Sequence, residues 1–305
     1  MQTFSLNASD GAPISTYSWS ISNPKIAVHI AHGMGEHAKR YDWLALELNK
    51  LGCVVYANDH RGHGITGQAC LGYMGPDGWN RLLADAYELN QHIRQLHPNI
   101  PLVLLGHSMG SMMSQQYITR YGASIDGLVL SGSPGFKAKS RNPLPGWVLA
   151  FELRRHGPAA QSALMQSLLF GSANKPFDGP DATGFEWLSR DAVEVQKYVD
   201  DPLCGFVIST GSLKDLYTGS AAASDADAVA GIPKTLPIYV MSGTEDPVHS
   251  ERADIERLLA AYTSAGLQDI TVNWFEGGHH EMFNETNKDE VVSDLSTWLG
   301  RFLTG

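Results

Sequence analysis

Cysteine is scarce in this chain of 305 residues: Cys53, Cys70 and Cys204 are too few and too scattered for a disulfide framework or a cysteine-rich zinc site. Free, mostly buried thiols are the expected state. No stretch approaches the run of about 20 apolar residues that crosses a bilayer, so no membrane span is expected. Positive charge is also in short supply. With 22 Lys and Arg against 32 Asp and Glu the net charge is −10, and no basic cluster offsets it, which argues against nucleic acid and anionic surfaces as partners. The opening residues, Met1 to Asn7, have neither the basic nor the apolar stretch of a secretory signal, so the expected location is cytoplasmic. What remains, 43% hydrophobic and 18% charged, is the composition of an ordinary globular enzyme, long enough for one large core with an insertion.

Short apolar runs at Ile26–Ala31, Cys53–Ala57, Pro101–Leu105, Gly127–Leu130, Leu236–Met241 and Ile270–Phe275 have the length of buried strands. Helical stripes lie between several of them. The clearest is Gly78–His97, where Trp79, Leu82, Leu83, Ala86, Leu89, Ile93 and Leu96 recur on one face; others are Trp43–Leu51, Ile255–Tyr262 and Val291–Phe302. The alternation predicts an α/β fold with a mostly parallel central sheet flanked by helices, its site at the carboxyl ends of the strands. From residue 133 to 223 the alternation stops. This segment, with Phe136, Trp147, Phe151, Phe170, Phe177, Trp187 and Phe206, reads as an inserted helical cap between core halves 1–132 and 224–305. Most of these aromatics are expected to make the cap's own small core, and a few to line an acyl pocket. Ser220–Ala230 is expected to link cap to core. The segment Pro145–Arg155 reads as a buried cap helix, with an interfacial lid helix as the alternative because its end is basic.

The run Val103-Leu104-Leu105-Gly106-His107-Ser108-Met109-Gly110-Ser111 has the form of a strand entering a Gly-x-Ser-x-Gly turn and then a helix, which nominates Ser108 as a nucleophile. A serine hydroxyl needs a base to take its proton and an acid to orient that base, so the chain order Ser, Asp, His is the next test. It is met. Glu245-Asp246 follows one late strand and His279-His280 the next. Spacing alone leaves His279 and His280 undecided, and Glu245 competes with Asp246. An oxyanion would take backbone N–H groups from Met109, the residue after the nucleophile, and from Met34 in the glycine-flanked loop after the first parallel strand.

The motifs His32-Gly33-Met34-Gly35-Glu36-His37, Asp59 to Gly64, Gly106 to Gly110, Glu245-Asp246-Pro247-Val248 and His280-Glu281-Met282-Phe283-Asn284-Glu285 resemble the monoglyceride lipase and lysophospholipase-like branch of the α/β-hydrolases. Thr183 to Asp191 and Asp201 to Phe206 resemble the cap of its bacterial members. The resemblance implies an α/β-hydrolase fold, a triad of Ser108, Asp246 and His280, and an oxyanion hole at Met34 and Met109. It also implies a hydrolase of monoacylglycerols or similar single-chain esters that needs no cofactor and no metal. A short-chain carboxylesterase or a lysophospholipase would share these residues, whereas a non-catalytic binding protein would require a broken triad. Transient contact with a lipid surface would run through the cap. The chain departs from such sequences at His279, where arginine is common; by the resemblance His279 is a surface loop residue and Glu245 a solvated neighbour.

Three other patterns carry less. Ser133 also follows a strand, but it lacks the first glycine and is followed by proline. Gly62-His63-Gly64-Ile65-Thr66-Gly67 has the spacing of a dinucleotide fingerprint, yet the residues after it read as loop where a helix must open. Asp59, His60 and His63 with His32 and His37 could be imagined as metal ligands, but such residues in glycine-rich turns more often bind loop backbone.

Overall fold

The structure, a computed structural model, describes residues 1–137 and 146–303. Eight strands form one sheet in the order β1-β2-β4-β3-β5-β6-β7-β8. The six expected strands are β3 (Ile26–Ala31), β4 (Cys53–Asn58), β5 (Leu102–His107), β6 (Gly127–Ser131), β7 (Ile238–Gly243) and β8 (Ile270–Phe275). They pair in parallel throughout. The sequence reading did not anticipate β1 (Gln2–Asn7) and β2 (Pro13–Trp19), an antiparallel hairpin added at one edge. β1 is largely exposed, so it lacks the continuous apolar run that marks the buried strands.

Helices cover both faces. On one, α2 (Gly78–Leu96), α3 (Met109–Tyr121) and α9 (Ala253–Ser264) pack around Trp79, Tyr117 and Tyr262; on the other, α1 (Asp42–Lys50) and α10 (Lys288–Leu299) bring Leu44, Leu48, Val291 and Leu295. Successive residues of β3 serve opposite clusters, Ala27 on the first face and Ile26 and Val28 on the second, which is why the strand is buried at every position. From β3 the chain moves to β4 on one side and then returns to β5 on the other. That reversal opens a crevice at the carboxyl ends of β3 and β5, where the loop after Ala31 and the turn at Ser108 lie side by side.

Between β6 and β7 the chain makes α4 (Gly146–His156), α5 (Ala163–Phe170), α6 (Ala192–Asp200), α7 (Thr210–Ala221) and α8 (Ala226–Ala230). The aromatics of this insertion do not share one core, which corrects the expectation. Phe136 joins the main core against Tyr262, Trp187 and Phe177 lie against the histidine loop, Phe206 lies against His63, and Phe151 is exposed. The side chains of Trp147 and Phe170 lie outside the described residues, as does Pro145. Ser220–Ala230 runs from the end of α7 through α8. It is helical for most of its length because alanine favours helix, and Ala223 and Val229 are buried in the main core. Among the described residues no helix is long and apolar enough to cross a membrane.

Candidate active site

Ser108 sits between β5 and α3 with φ 52° and ψ −114°, a conformation an L-residue adopts only when its surroundings enforce it. The enforcement comes from both flanking glycines. A Cβ on Gly106 would run into the Gly110 carbonyl and the Ser114 hydroxyl, and one on Gly110 into the Ala31 carbonyl. Gly33 in turn lets the β3 loop approach the nucleophile, since its Cβ would stand 3.2 Å from that of Ser108.

The Ser108 Oγ lies 2.9 Å from His280 Nε2, and His280 Nδ1 lies 2.9 Å from Asp246 Oδ2. The Asp246 carboxylate can only accept there, so Nδ1 carries the hydrogen and Nε2 is free to accept the serine proton. Asp246 is held in turn by the Val248 N–H on Oδ1 at 2.9 Å. Burial alone would raise the Asp246 carboxyl, but the charge and hydrogen bond of His280 hold it below the usual carboxylate range. Burial would likewise lower His280, yet Asp246 first, and then Glu281 and Glu36, lift it above the ordinary imidazole value. His280 and Asp246 are each 2% exposed. The Trp187 ring covers the imidazole with centroids 4.9 Å apart, and His107 flanks it at 4.8 Å. Burial takes His107 down to about 4, so it stands neutral beside the base.

The β3 loop is pinned through one peptide. The His60 N–H donates to His32 Nε2 at 3.0 Å, so the His32 hydrogen is on Nδ1, which donates to the Gly33 carbonyl at 2.7 Å. In a trans peptide the N–H of the next residue points the opposite way, which fixes the direction of the Met34 N–H. Met109 opens α3, where the backbone N–H groups favour an anion.

The structure brings Ser108, Asp246 and His280 together and sets Met34 and Met109 on the two loops beside them. His279 is not a surface residue: it is 8% exposed, with its Nδ1 donating to the Glu186 carbonyl at 2.7 Å and its ring against Phe177. The segment of the insertion from Glu186 to Leu188 runs along the histidine loop and buries it, an effect of tertiary packing that local sequence does not carry. Glu245 is exposed, and Ser133 is engaged with Gln115 at 2.7 Å. Cys53 is buried, Cys204 half-buried and Cys70 exposed, each as a free thiol. The glycine-rich Gly62–Gly67 segment opens turns, with α2 beginning only at Gly78. Asp59 accepts from the Tyr17 hydroxyl and from the N–H groups of Ala38 and Ile65. Among the described residues, His37, Asp201 and Cys204 are the group whose donor atoms converge, all within 4.8 Å. Two of those atoms bond each other, His37 Nε2 with Asp201 Oδ2 at 2.9 Å.

Sequence reasoning assigned no role to Glu36, Arg40, Glu281, His107 or Trp187, all of which surround the triad. Charged residues at strand ends ordinarily read as solvated, and only the motifs that contain Glu36 and Glu281 pointed toward them.

A mostly parallel eight-stranded sheet with these loops at its carboxyl edge defines an α/β-hydrolase. Residues 22–287 match the hydrolase family described as Serine aminopeptidase, S33, and the chain belongs to that family. It is 28% identical over 297 residues to a monoacylglycerol lipase of Mycolicibacterium smegmatis, covering 91% of this chain and 89% of that protein. A monoglyceride lipase of Mus musculus is 28% identical over 294 residues, with 95% and 88% covered. The crystal structure of a thermostable carboxyl esterase from Bacillus coagulans, in complex with glycerol, superposes with a TM-score of 0.89 at 25% identity over 99% of both chains.

Proposed function

We propose that the chain is a serine carboxylester hydrolase that cleaves monoacylglycerols or similar single-chain esters through an acyl-enzyme, with residues 133–223 as the cap. The hydrogen-bonded series Ser108, His280, Asp246, with both links at 2.9 Å, carries this reading. Ser108 Oγ attacks the ester carbonyl carbon while its proton passes to His280 Nε2. The carbonyl oxygen becomes an anion, which the N–H groups of Met34 and Met109 receive. His280 then returns the proton to the glycerol oxygen as the carbon–oxygen bond breaks. Water, deprotonated by the same imidazole, attacks the acyl-serine and restores the hydroxyl. Asp246 keeps the imidazole in its Nδ1–H form and balances its charge.

The names of the relatives support the glycerol monoester, and so does the lining of the loop. Met34 packs against an apolar group of Leu149, Met165, Ile208 and Leu213 with Phe206, so an acyl chain whose carbonyl reached the Met34 N–H would lie against hydrocarbon. We read Phe151 and Leu164, 56% and 51% exposed on α4 and α5, as the point of transient contact with a lipid surface.

The test is fluorophosphonate labelling together with kcat/KM for glycerol monoesters from acetyl to palmitoyl, using Ser108→Ala as the blank. Labelling is expected to vanish in that variant and kcat to fall by a factor on the order of a million. Ester turnover that survives Ser108→Ala overturns the proposal. A rate that peaks at acetyl overturns the long-chain substrate but keeps the chemistry.

A further inference from the structure

Three charged side chains lie sealed beside the triad without touching the reacting atoms. Glu36 is 2% and Glu281 6% exposed, and the Arg40 side chain 10%. Arg40 Nη1 donates to Glu36 Oε2 and to Glu281 Oε1, and its Nη2 to Glu281 Oε2, each at 2.7 Å. Glu36 Oε1 accepts from the Gly33 N–H at 2.5 Å and the Tyr41 hydroxyl at 2.9 Å, and Glu281 Oε2 from Asn284 at 2.8 Å. The Tyr198 ring of α6 closes over the guanidinium at 4.8 Å. Removing three charges from water is costly, and for stability alone a well-packed apolar trio serves as well or better. Their placement offers another reason. Glu36 grips the peptide next to Met34, Glu281 follows His280 directly, and one guanidinium joins the two.

We propose that Glu36, Arg40 and Glu281 form a positioning clamp that holds the oxyanion loop and the base loop in one register around the Ser108 hydroxyl. The inference rests on the triad reading above. A planar, bidentate guanidinium fixes both distance and angle between the loops, which a single point charge does not. Misplacing the donor or the base by an ångström is enough to slow the chemical step.

The clamp also carries one unmatched negative charge. Facing His280 are Asp246 from the β7 loop, His107 from the end of β5, Glu36 from the β3 loop and Glu281 from its own loop. Around Arg40 stand Tyr41, Tyr198, Cys204 and Asp201, with His37 bonded to Asp201. Burial raises the two phenols and the thiol and lowers His107, so the charge beside the base is that of Asp246, Glu36 and Glu281, the last two bonded to the Arg40 guanidinium. Removing one carboxylate and removing the guanidinium therefore push the base in opposite directions.

The experiment measures kcat and KM against pH for wild type, Arg40→Lys, Glu281→Gln and Arg40→Met on a soluble short-chain glycerol monoester, with near-ultraviolet circular dichroism to establish folding. Arg40→Lys keeps the charge and loses the fork, so kcat is expected to fall on the order of tenfold, with KM changing less than about threefold and the acid limb unmoved. Glu281→Gln is expected to move the acid limb of kcat/KM to lower pH, and Arg40→Met to higher pH. A merely structural role lowers stability in all three without opposed limbs. Should Arg40→Met not fold, the contrast between Glu281→Gln and Arg40→Lys decides. Limbs that stay put or move together, or an unchanged kcat in Arg40→Lys, overturn the clamp while Ser108 remains essential. Turnover surviving in Ser108→Ala overturns the triad itself.

Discussion

Two parts of the insertion are fastened to the core in different ways. From Glu186 to Phe206 the chain is tied to the site loops by backbone and charge: His280 N–H to the Trp187 carbonyl at 3.3 Å, Glu281 N–H to Leu188 at 2.7 Å, Gly205 N–H to Gly35 at 2.9 Å, and Arg190 to Glu285 at 2.8 Å. From α4 to α5 the contact is chiefly a small apolar group around Leu149 and Met165, with one long hydrogen bond from Gln161 to the Leu71 carbonyl at 3.4 Å and with Phe151 and Leu164 turned outward. Directional bonds hold a geometry to fractions of an ångström, whereas a small apolar contact tolerates repacking. This rear part of the insertion is thus built into the frame around His280. The front, from α4 to α5, is the part whose packing can vary.

Breaking the rear should have the largest effect. Glu285 is fully buried and accepts from the N–H groups of His279, Arg190 and Thr286 as well as from the Arg190 guanidinium. Glu285→Ala leaves those donors without their acceptor, at a cost of about 3 kcal/mol, discounted for an arginine that can reach water. Urea unfolding should show that loss, and kcat should drop by a similar factor for every chain length. A drop confined to long chains would erase the distinction between rear and front.

The pH profile sharpens the same contrast with a smaller effect. In the proposed mechanism His280 must be neutral to accept the serine proton, and Asp246, Glu281 and Glu36 hold it above the ordinary imidazole value. The acid limb of kcat/KM should therefore lie above the pH where a free imidazole titrates, with activity falling about tenfold per unit below it. Front variants such as Leu149→Ala should leave that limb in place, because the groups that raise His280 are Asp246, Glu281 and Glu36 and none lies on α4. A limb displaced by Leu149→Ala would mean that the front, too, belongs to the frame.

Much of this arrangement could be read from the chain, and the exceptions share a cause. Strands buried on both faces are mostly apolar runs, and the elbow glycines are forced by local sterics, so β3 to β7 and Ser108 were legible, and the edge strand β8, though only half-buried, keeps enough apolar residues to be read. The N-terminal hairpin was not, because β1 has an exposed edge and no clear apolar run. Asp246 and His280 were legible by order along the chain, but His280 was separated from His279 only by resemblance, since adjacent histidines differ in nothing local. The burial of His279, the ring of Trp187 over His280 and the Arg40 bridge between two loops 241 residues apart are tertiary events. Nothing in period or composition announces an ion cluster whose members each look like a solvated charge.

The smallest expected effect lies at the front surface. Phe151 and Leu164 are more than half exposed, so Phe151→Ser and Leu164→Ser should change stability by no more than about 0.5 kcal/mol and leave kcat for a dissolved acetyl ester alone. If these side chains touch lipid, turnover of a long-chain monoester presented in zwitterionic vesicles should fall several-fold while turnover of the same ester in detergent solution holds, because only the first requires the cap to meet an interface. The chain's charge of −10 gives no attraction to an anionic surface, so apolar contact has to supply most of the binding. Anionic vesicles should accordingly be poorer substrates than zwitterionic ones. Equal losses on vesicles and in detergent would place Phe151 and Leu164 in the acyl path instead of on the membrane side, and would make the front of the cap a pocket wall.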